Sequence, residues 1–306
     1  WRKIVLLIGN SLEKIDEIEE KSVQAIVTSP PYWGLRDYNA DGQLGEELVP
    51  EDFVRTLTTL FNKSKRVLKD DGTLWLNIGD TYFGAKGGHW EGGNSITNDA
   101  TGGNYRMQRK APPKHKRLKT KDLCGVPWML AFSLQKDGWY LRQDIIWHKP
   151  NPMPEAVTDR CVKSHEHIFL FSLKPRYYFN HEAIQEKAIY TGDNRASRGD
   201  SRRDISLAAS MAAESQPTGE FRNKRDVWSI NTASSKEAHF AVFPPRIPEL
   251  CIKAGSKEGD IVLDPFMGSG TTAVVAQRLG RKGIGFELND KYTDLINRKT
   301  AQGELF

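Results

Sequence analysis

Two short stretches of the chain combine residue types that could do chemistry. Thr28-Ser29-Pro30-Pro31-Tyr32-Trp33 leaves the apolar run 23–27 through two prolines, neither of which can donate to a strand ladder and both of which fix φ. A hydroxyl, a rigidly held carbonyl and an aromatic face are thereby presented together at a strand end. Asp264-Pro265-Phe266-Met267-Gly268-Ser269-Gly270-Thr271-Thr272 follows a second apolar run, 261–263, and leads into a helical stretch.

In an open α/β sheet, ligands bind at the carboxyl ends of the strands, which is where this second stretch lies. No lysine follows Gly270, so it is not a P-loop, and the GxGxxG dinucleotide spacing is also missing. What remains is a tight Gly268-Ser269-Gly270 turn before a helix N-terminus, able to receive a carboxylate, with Thr271 and Thr272 as hydroxyl donors. Glu287 ends the next strand, where an acid takes ribose hydroxyls in nucleotide-binding folds. A ligand with a carboxylate, a ribose and an adenine but no phosphate suits this set, and S-adenosylmethionine (AdoMet) is such a molecule.

The elements that must position these stretches read as an α/β chain. Residues 4–8 are apolar, followed by Gly9-Asn10 and by Leu12, Ile15 and Ile18 at helical spacing, with Asn10 and Glu13 as a capping pair. Helices are expected at 52–68, closed by Asp70-Asp71-Gly72, and at 123–135 and 273–279. Strands are expected at 73–78, 139–147, 167–172, 261–263 and 283–287. Such alternation argues for a parallel α/β sheet.

Two stretches interrupt it. Glycine-rich residues 79–103 run into Arg106, Arg109, Lys110, Lys114, Lys116, Arg117, Lys119 and Lys121, with no acid among them. Residues from about 184 to 228 carry Arg202 and Arg203 among Ser, Gly and Asn. A cationic run is either a solvated loop or an arm for a polyanion, and its self-repulsion favours the second, with nucleic acid the natural partner. The chain of 306 residues is 38% hydrophobic and 27% charged, with net charge +5, an ordinary globular composition. No run approaches the ~18 apolar residues of a membrane span. An intracellular, cytoplasmic protein with no membrane partner is expected. Cys124, Cys161 and Cys251 form no CxxC pair, so neither a disulfide framework nor a metal site is indicated.

TSPPYW resembles the catalytic motif of the amino-methylating DNA methyltransferases in its SPPY form, and DPFMGSGTT resembles their AdoMet motif. The catalytic motif lies upstream here, the order of the permuted β class. The resemblance implies a single AdoMet-dependent methyltransferase domain, α/β, with a mostly parallel, circularly permuted Rossmann-like seven-stranded sheet and inserted DNA-recognition loops. Residues 1–83 would form the catalytic half, 84–121 a glycine-rich and basic DNA-binding loop, and 122–183 the continued domain. Residues 184–235 would form a target-recognition insert and 236–306 the AdoMet-binding half. Ser29, Pro30, Pro31 and Tyr32 are the implied catalytic residues. Asn10, Asp264, Pro265, Phe266, Gly268, Ser269, Gly270, Thr271, Thr272 and Glu287 are the implied cofactor residues, Asn10 being equally a plain helix cap. Residues 239–245 resemble the segment that closes over the methionine end of the cofactor. DNA contacts are expected from Trp33, Arg106, Arg109, Lys110, Lys114, Lys116, Arg117, Lys149, Arg202 and Arg203, while Asp80 reaches a ligand or caps a loop. Double-stranded DNA is the implied substrate, and the family also brings a cognate restriction endonuclease and a homodimer into consideration.

The family chemistry is physically sensible for these residues. The exocyclic amino nitrogens of cytosine and adenine are poor nucleophiles because the lone pair is delocalised into the ring. Acceptors aimed at the amino hydrogens, the Pro30 carbonyl and the Ser29 hydroxyl, pull it back, and Tyr32 offers a face on which an extruded base can stack. No Pro-Cys pair exists, which sets the chain apart from cytosine-C5 enzymes. A neutral serine favours cytosine N4 over adenine N6. A catalytically silent AdoMet- and DNA-binding module and an RNA methyltransferase are the other readings.

Overall fold

The computed structural model describes residues 4–34, 42–84, 97–98, 104–105, 115–188, 220–233 and 243–302. One sheet of eight strands dominates. In chain order these are β1 (Ile4–Ile8), β2 (Val23–Thr28), β3 (Leu68–Ile78), β4 (Tyr140–His148), β5 (His165–Ser172), β6 (Val227–Ser229), β7 (Ile261–Asp264) and β8 (Lys282–Glu287). Across the sheet they run β1-β8-β7-β2-β3-β5-β4-β6. From β1 to β3 every neighbour is parallel. β5 is antiparallel to both β3 and β4, and β6 lies parallel to β4 at the edge.

All six residues of β2 are buried, as a central strand covered on both faces requires. The helices supply the cover. α1 (Ser11–Lys14) is a single turn. α2 (Pro50–Val67) starts on a proline, carries Glu51 and Asp52 in its first turn, and buries Phe53, Leu57, Leu60 and Phe61. It packs on α3 (Val126–Lys136), which buries Leu130, Ala131 and Leu134. α4 (Arg246–Gly255) packs on β2 and on α5 (Thr271–Arg278), and α6 (Thr293–Gln302) packs on α5.

Two elements differ from the sequence expectation. The sheet has eight strands where seven were expected, because Val227–Ser229 joins the edge beside β4, with Trp228 buried. Asp70-Asp71-Gly72 does not close α2 but lies within β3, where the pairing register with β2 shifts and the two aspartates are exposed. The second was local turn chemistry overruled by strand pairing.

Residues Asn180–Arg225 form a second compact unit. Within it Glu186–Lys187 pairs antiparallel with Phe221–Arg222, and the Glu186 carboxylate accepts from Arg222, Lys224 and Arg225. No helix among the described residues is long and apolar enough to cross a membrane.

Candidate active site

The two chemical stretches sit at the ends of adjacent strands. β2 delivers TSPPYW and β7 delivers DPFMGSGTT, and the ladder pairs Ala25 with Val262 and Ile26 with Leu263. Thr28 and Asp264 are 236 residues apart in sequence, yet the Thr28 Oγ1 hydroxyl donates to Asp264 Oδ1 over 2.6 Å. Asp264 is only 3% exposed. Burial raises its pKa, against the Thr28 and Thr272 hydroxyls and the Phe266 amide, which favour the ionised form. The turn after β1 is tied in as well, Ser11 Oγ donating to the Pro265 carbonyl at 2.5 Å.

Between the two corners lies a cavity of about 860 Å³, lined by Ser29, Pro30, Pro31, Tyr32, Asn10, Asp264, Pro265, Phe266, Gly268, Ser269, Thr271, Thr272 and Glu287. This is near the upper end of the ~300–1,000 Å³ usual for ligand pockets. Asp80, Lys149, Glu166 and Phe243 also line it. Residues 239–242 lie outside the described residues.

The glycine loop has the shape its sequence requires. Gly268 and Gly270 take φ of +53° and +85°, a left-handed backbone that favours glycine. The Met267 amide donates to the Phe286 carbonyl at 2.9 Å, so the loop lies down on β8. It can do so because Gly285 has no side chain: a Cβ there would stand 2.0 Å from Met267 Cε. α5 then opens at Thr271 with no side-chain cap on its first amides.

Glu287 Oε2 accepts from the Gly268 amide and Oε1 from the Asn289 amide, each at 2.9 Å. Burial pushes this carboxyl up to about 7, against those two amides. The set fits an aminoacyl nucleoside: an acid held by backbone with lone pairs to spare, and an uncapped helix start behind a left-handed turn. Asn10 Oδ1 takes the Leu12 amide at 2.9 Å, so it caps α1 while also lining the cavity. The Thr271 hydroxyl lies 3.4 Å from the Ser269 hydroxyl.

At the other corner, the Tyr32 phenol donates to Glu166 Oε2 at 2.5 Å and lies 3.2 Å from Asn77 Oδ1. Asn77 Nδ2 donates to Glu166 Oε2 at 3.2 Å and to the His167 carbonyl at 3.1 Å. Lys149 Nζ is paired with Glu166 Oε1 and lies over the Trp147 ring, 4.4 Å from its centroid.

Trp33 is buried, stacked on Phe83 at 6.3 Å, with its indole N–H on the Glu47 carbonyl. Its ring belongs to the hydrophobic core and not to the cavity lining. Asp80 caps α3, accepting from the Gly125 and Val126 amides at 3.0 and 3.1 Å. Lys163 Nζ reaches the Asp80 carbonyl, and burial lowers its pKa.

The remaining sequence candidates are elsewhere. Lys116 and Arg117 are exposed outside the cavity lining, Arg117 bonded to Glu51 at 3.1 Å. Arg106, Arg109, Lys110, Lys114, Arg202 and Arg203 lie outside the described residues. Glu166 was missed by sequence reasoning. Its signal is phase: it stands two residues before Ile168 and four before Leu170, so an acid shares a strand face with two large apolar side chains.

A family model described as DNA methylase matches residues 23–298. The Type II methyltransferase M.SmaI of Serratia marcescens is 44% identical over 97% of this chain and 91% of its own length. The Type II methyltransferase M.Cfr9I of Citrobacter freundii is 44% identical over 98% of this chain and 88% of its own. Among solved structures, the PvuII DNA methyltransferase (cytosine-N4-specific) superposes with a TM-score of 0.63 at 18% identity, covering 99% of this chain and 96% of that one. A putative DNA modification methylase of Thermus thermophilus, complexed with S-adenosyl-L-methionine, gives 0.59 at 23% identity, covering 98% and 93%.

Proposed function

The chain belongs to the DNA methylase family of AdoMet-dependent amino-methyltransferases, and from that premise we propose that it methylates the exocyclic N4 of a cytosine extruded from duplex DNA. The observation that carries the choice of base is Ser29 at the head of the rigid corner. A neutral hydroxyl can donate to the N3 acceptor beside the cytosine amino group, where an aspartate would repel it.

AdoMet, when bound, supplies an electrophilic methyl on a sulfonium. The chain supplies everything else. Glu287 would take the ribose hydroxyls, the Gly268–Gly270 turn and the start of α5 the carboxylate, and Phe266 the apolar wall. On the opposite side, the Pro30 carbonyl and the Ser29 hydroxyl would accept from the amino N–H groups and hold the lone pair on the nitrogen that takes the methyl, with the thioether released and no covalent enzyme intermediate. The proton leaves late, to water, since a serine is too weak a base to take it. Tyr32 carries the flipped base. Two relatives at 44% identity are Type II methyltransferases, which supports the same role for this chain, beside a restriction endonuclease.

Incubation with tritiated AdoMet and unmodified genomic DNA, followed by nucleoside analysis, tests this directly. Label is expected in N4-methylcytosine, and is lost in Ser29→Ala and Tyr32→Ala while AdoMet binding persists. Label in N6-methyladenine would refute the cytosine assignment but keep the mechanism. AdoMet binding without transfer to any DNA would leave a silent binding module.

A further inference from the structure

We propose that Glu166, clamped by Lys149 and Asn77, is a positioning residue that fixes the plane of the Tyr32 ring; this rests on the reading of Tyr32 as the platform for the target base. A platform has to be held still, because base stacking is lost when the ring tilts. The prolines before Tyr32 restrain its backbone but not its side chain. Contacts at the ring edge and at the phenol restrain the side chain, Asn77 Oδ1 lying 3.2 Å from the phenol beside Glu166. Gly79 lies against the ring edge so closely that a Cβ would stand 2.7 Å from Tyr32 Cε2. At the tip, the phenol is bonded to Glu166.

That carboxylate is held from several strands at once. It is 8% exposed, where an unpaired anion would be costly. Oε2 takes the Tyr32 phenol and Asn77 Nδ2, and Oε1 takes Lys149. Asn77 stands on β3 and Glu166 on β5, and Lys149 follows β4 directly. Trp147 and Glu166 are ladder partners, as are Asn77 and Ile168. The phenol at the end of β2 is thereby referenced to three other strands rather than to its own loop. The methyl transfer assigns Glu166 no proton or bond of its own, which leaves orientation as its part.

The test uses the full chain, unmodified genomic DNA and tritiated AdoMet, with Glu166→Ala, Glu166→Gln, Tyr32→Phe and the double variant Glu166→Ala/Tyr32→Phe. Losing a hydrogen bond to a charged partner is expected to lower kcat roughly 10- to 100-fold in Glu166→Ala and in Tyr32→Phe. The double variant is expected to be no worse than the poorer single one, since both remove the same contact. Glu166→Gln keeps an acceptor and is expected to recover to within several-fold of the parent, with AdoMet affinity unchanged throughout. Effects that multiply, or a Gln variant as poor as Ala, would overturn the proposal, the latter pointing to a general base. If Glu166→Ala does not fold, Tyr32→Phe against Glu166→Gln/Tyr32→Phe carries the same comparison. Fluorine NMR of 3-fluorotyrosine-labelled protein reads the ring without any activity: the Tyr32 line is expected to be sharp in the parent and in Glu166→Gln, and broadened in Glu166→Ala. If the parent methylates no DNA, the functional reading fails while this line still decides the inference, a line unchanged in Glu166→Ala sinking it.

Discussion

At the residue scale, Glu287 makes the sharpest prediction because its pKa is moved to about 7. A carboxyl raised by folding stabilises the protein while protonated, and that contribution is lost as pH rises from the ordinary glutamate range through about 7. Thermal melts of the cofactor-free protein should therefore lose stability over that interval, and Glu287→Gln should flatten the loss. Accepting two ribose hydroxyls requires the ionised form. AdoMet affinity measured by calorimetry should accordingly tighten as pH rises through about 7, with proton release, and should be weak and nearly pH-independent in Glu287→Gln. Gly79 makes a second, steric prediction. Gly79→Ala would drive a methyl group against the Tyr32 ring, so kcat should fall by roughly tenfold or more while AdoMet affinity stays put, because the close approaches to Gly79 are from Tyr32 and Glu166 and none is from the cofactor loop.

At the element scale, the catalytic and cofactor corners are joined by one buried bond between β2 and β7, from Thr28 to Asp264. Thr28→Val keeps the shape and removes the donor, leaving a buried carboxyl short of a partner, at a cost of about 1–3 kcal/mol. The bond favours the ionised carboxyl, so the fall in Tm should be larger near pH 8 than in acid, and Asp264→Asn should erase that pH difference. Much of this level was legible in the sequence. Apolar runs placed β2 and β7, and the turn chemistry placed both corners, because these signals are local. The adjacency of β2 and β7 is a long-range pairing that periodicity cannot reveal, and only the order of the two motifs hinted at it. β6 escaped notice because three residues among polar neighbours carry no period. Lys149 read as a phosphate ligand because a cation at a strand end is all that the sequence displays. The carboxylate that holds it, Glu166, stands on the neighbouring strand.

At the scale of the whole molecule, the cations divide into those already committed to carboxylates and those for which the sequence shows no acid nearby. Lys149 is paired with Glu166, Arg117 with Glu51, and Arg222, Lys224 and Arg225 share Glu186. The net charge of +5 is modest, yet eight cations with no acid in the run fall between Arg106 and Lys121, of which Arg117 and Lys121 are ion-paired with Glu51 and Asp159 from elsewhere in the chain. Uncommitted cations release counterions when they meet phosphate, and each such contact adds about 0.9 to the slope of log K against log salt. Replacing Arg106, Arg109, Lys110 and Lys114 with glutamine should therefore weaken DNA binding and reduce that slope by roughly 3–4, while kcat at saturating DNA changes little. Lys149→Met should do the opposite, lowering kcat with the slope nearly unchanged, since its charge is spent on Glu166 within the cavity wall. Binding isotherms at four or five salt concentrations, set beside saturating turnover rates, separate the two behaviours. An unchanged slope in the fourfold variant would move the electrostatic footprint away from this segment.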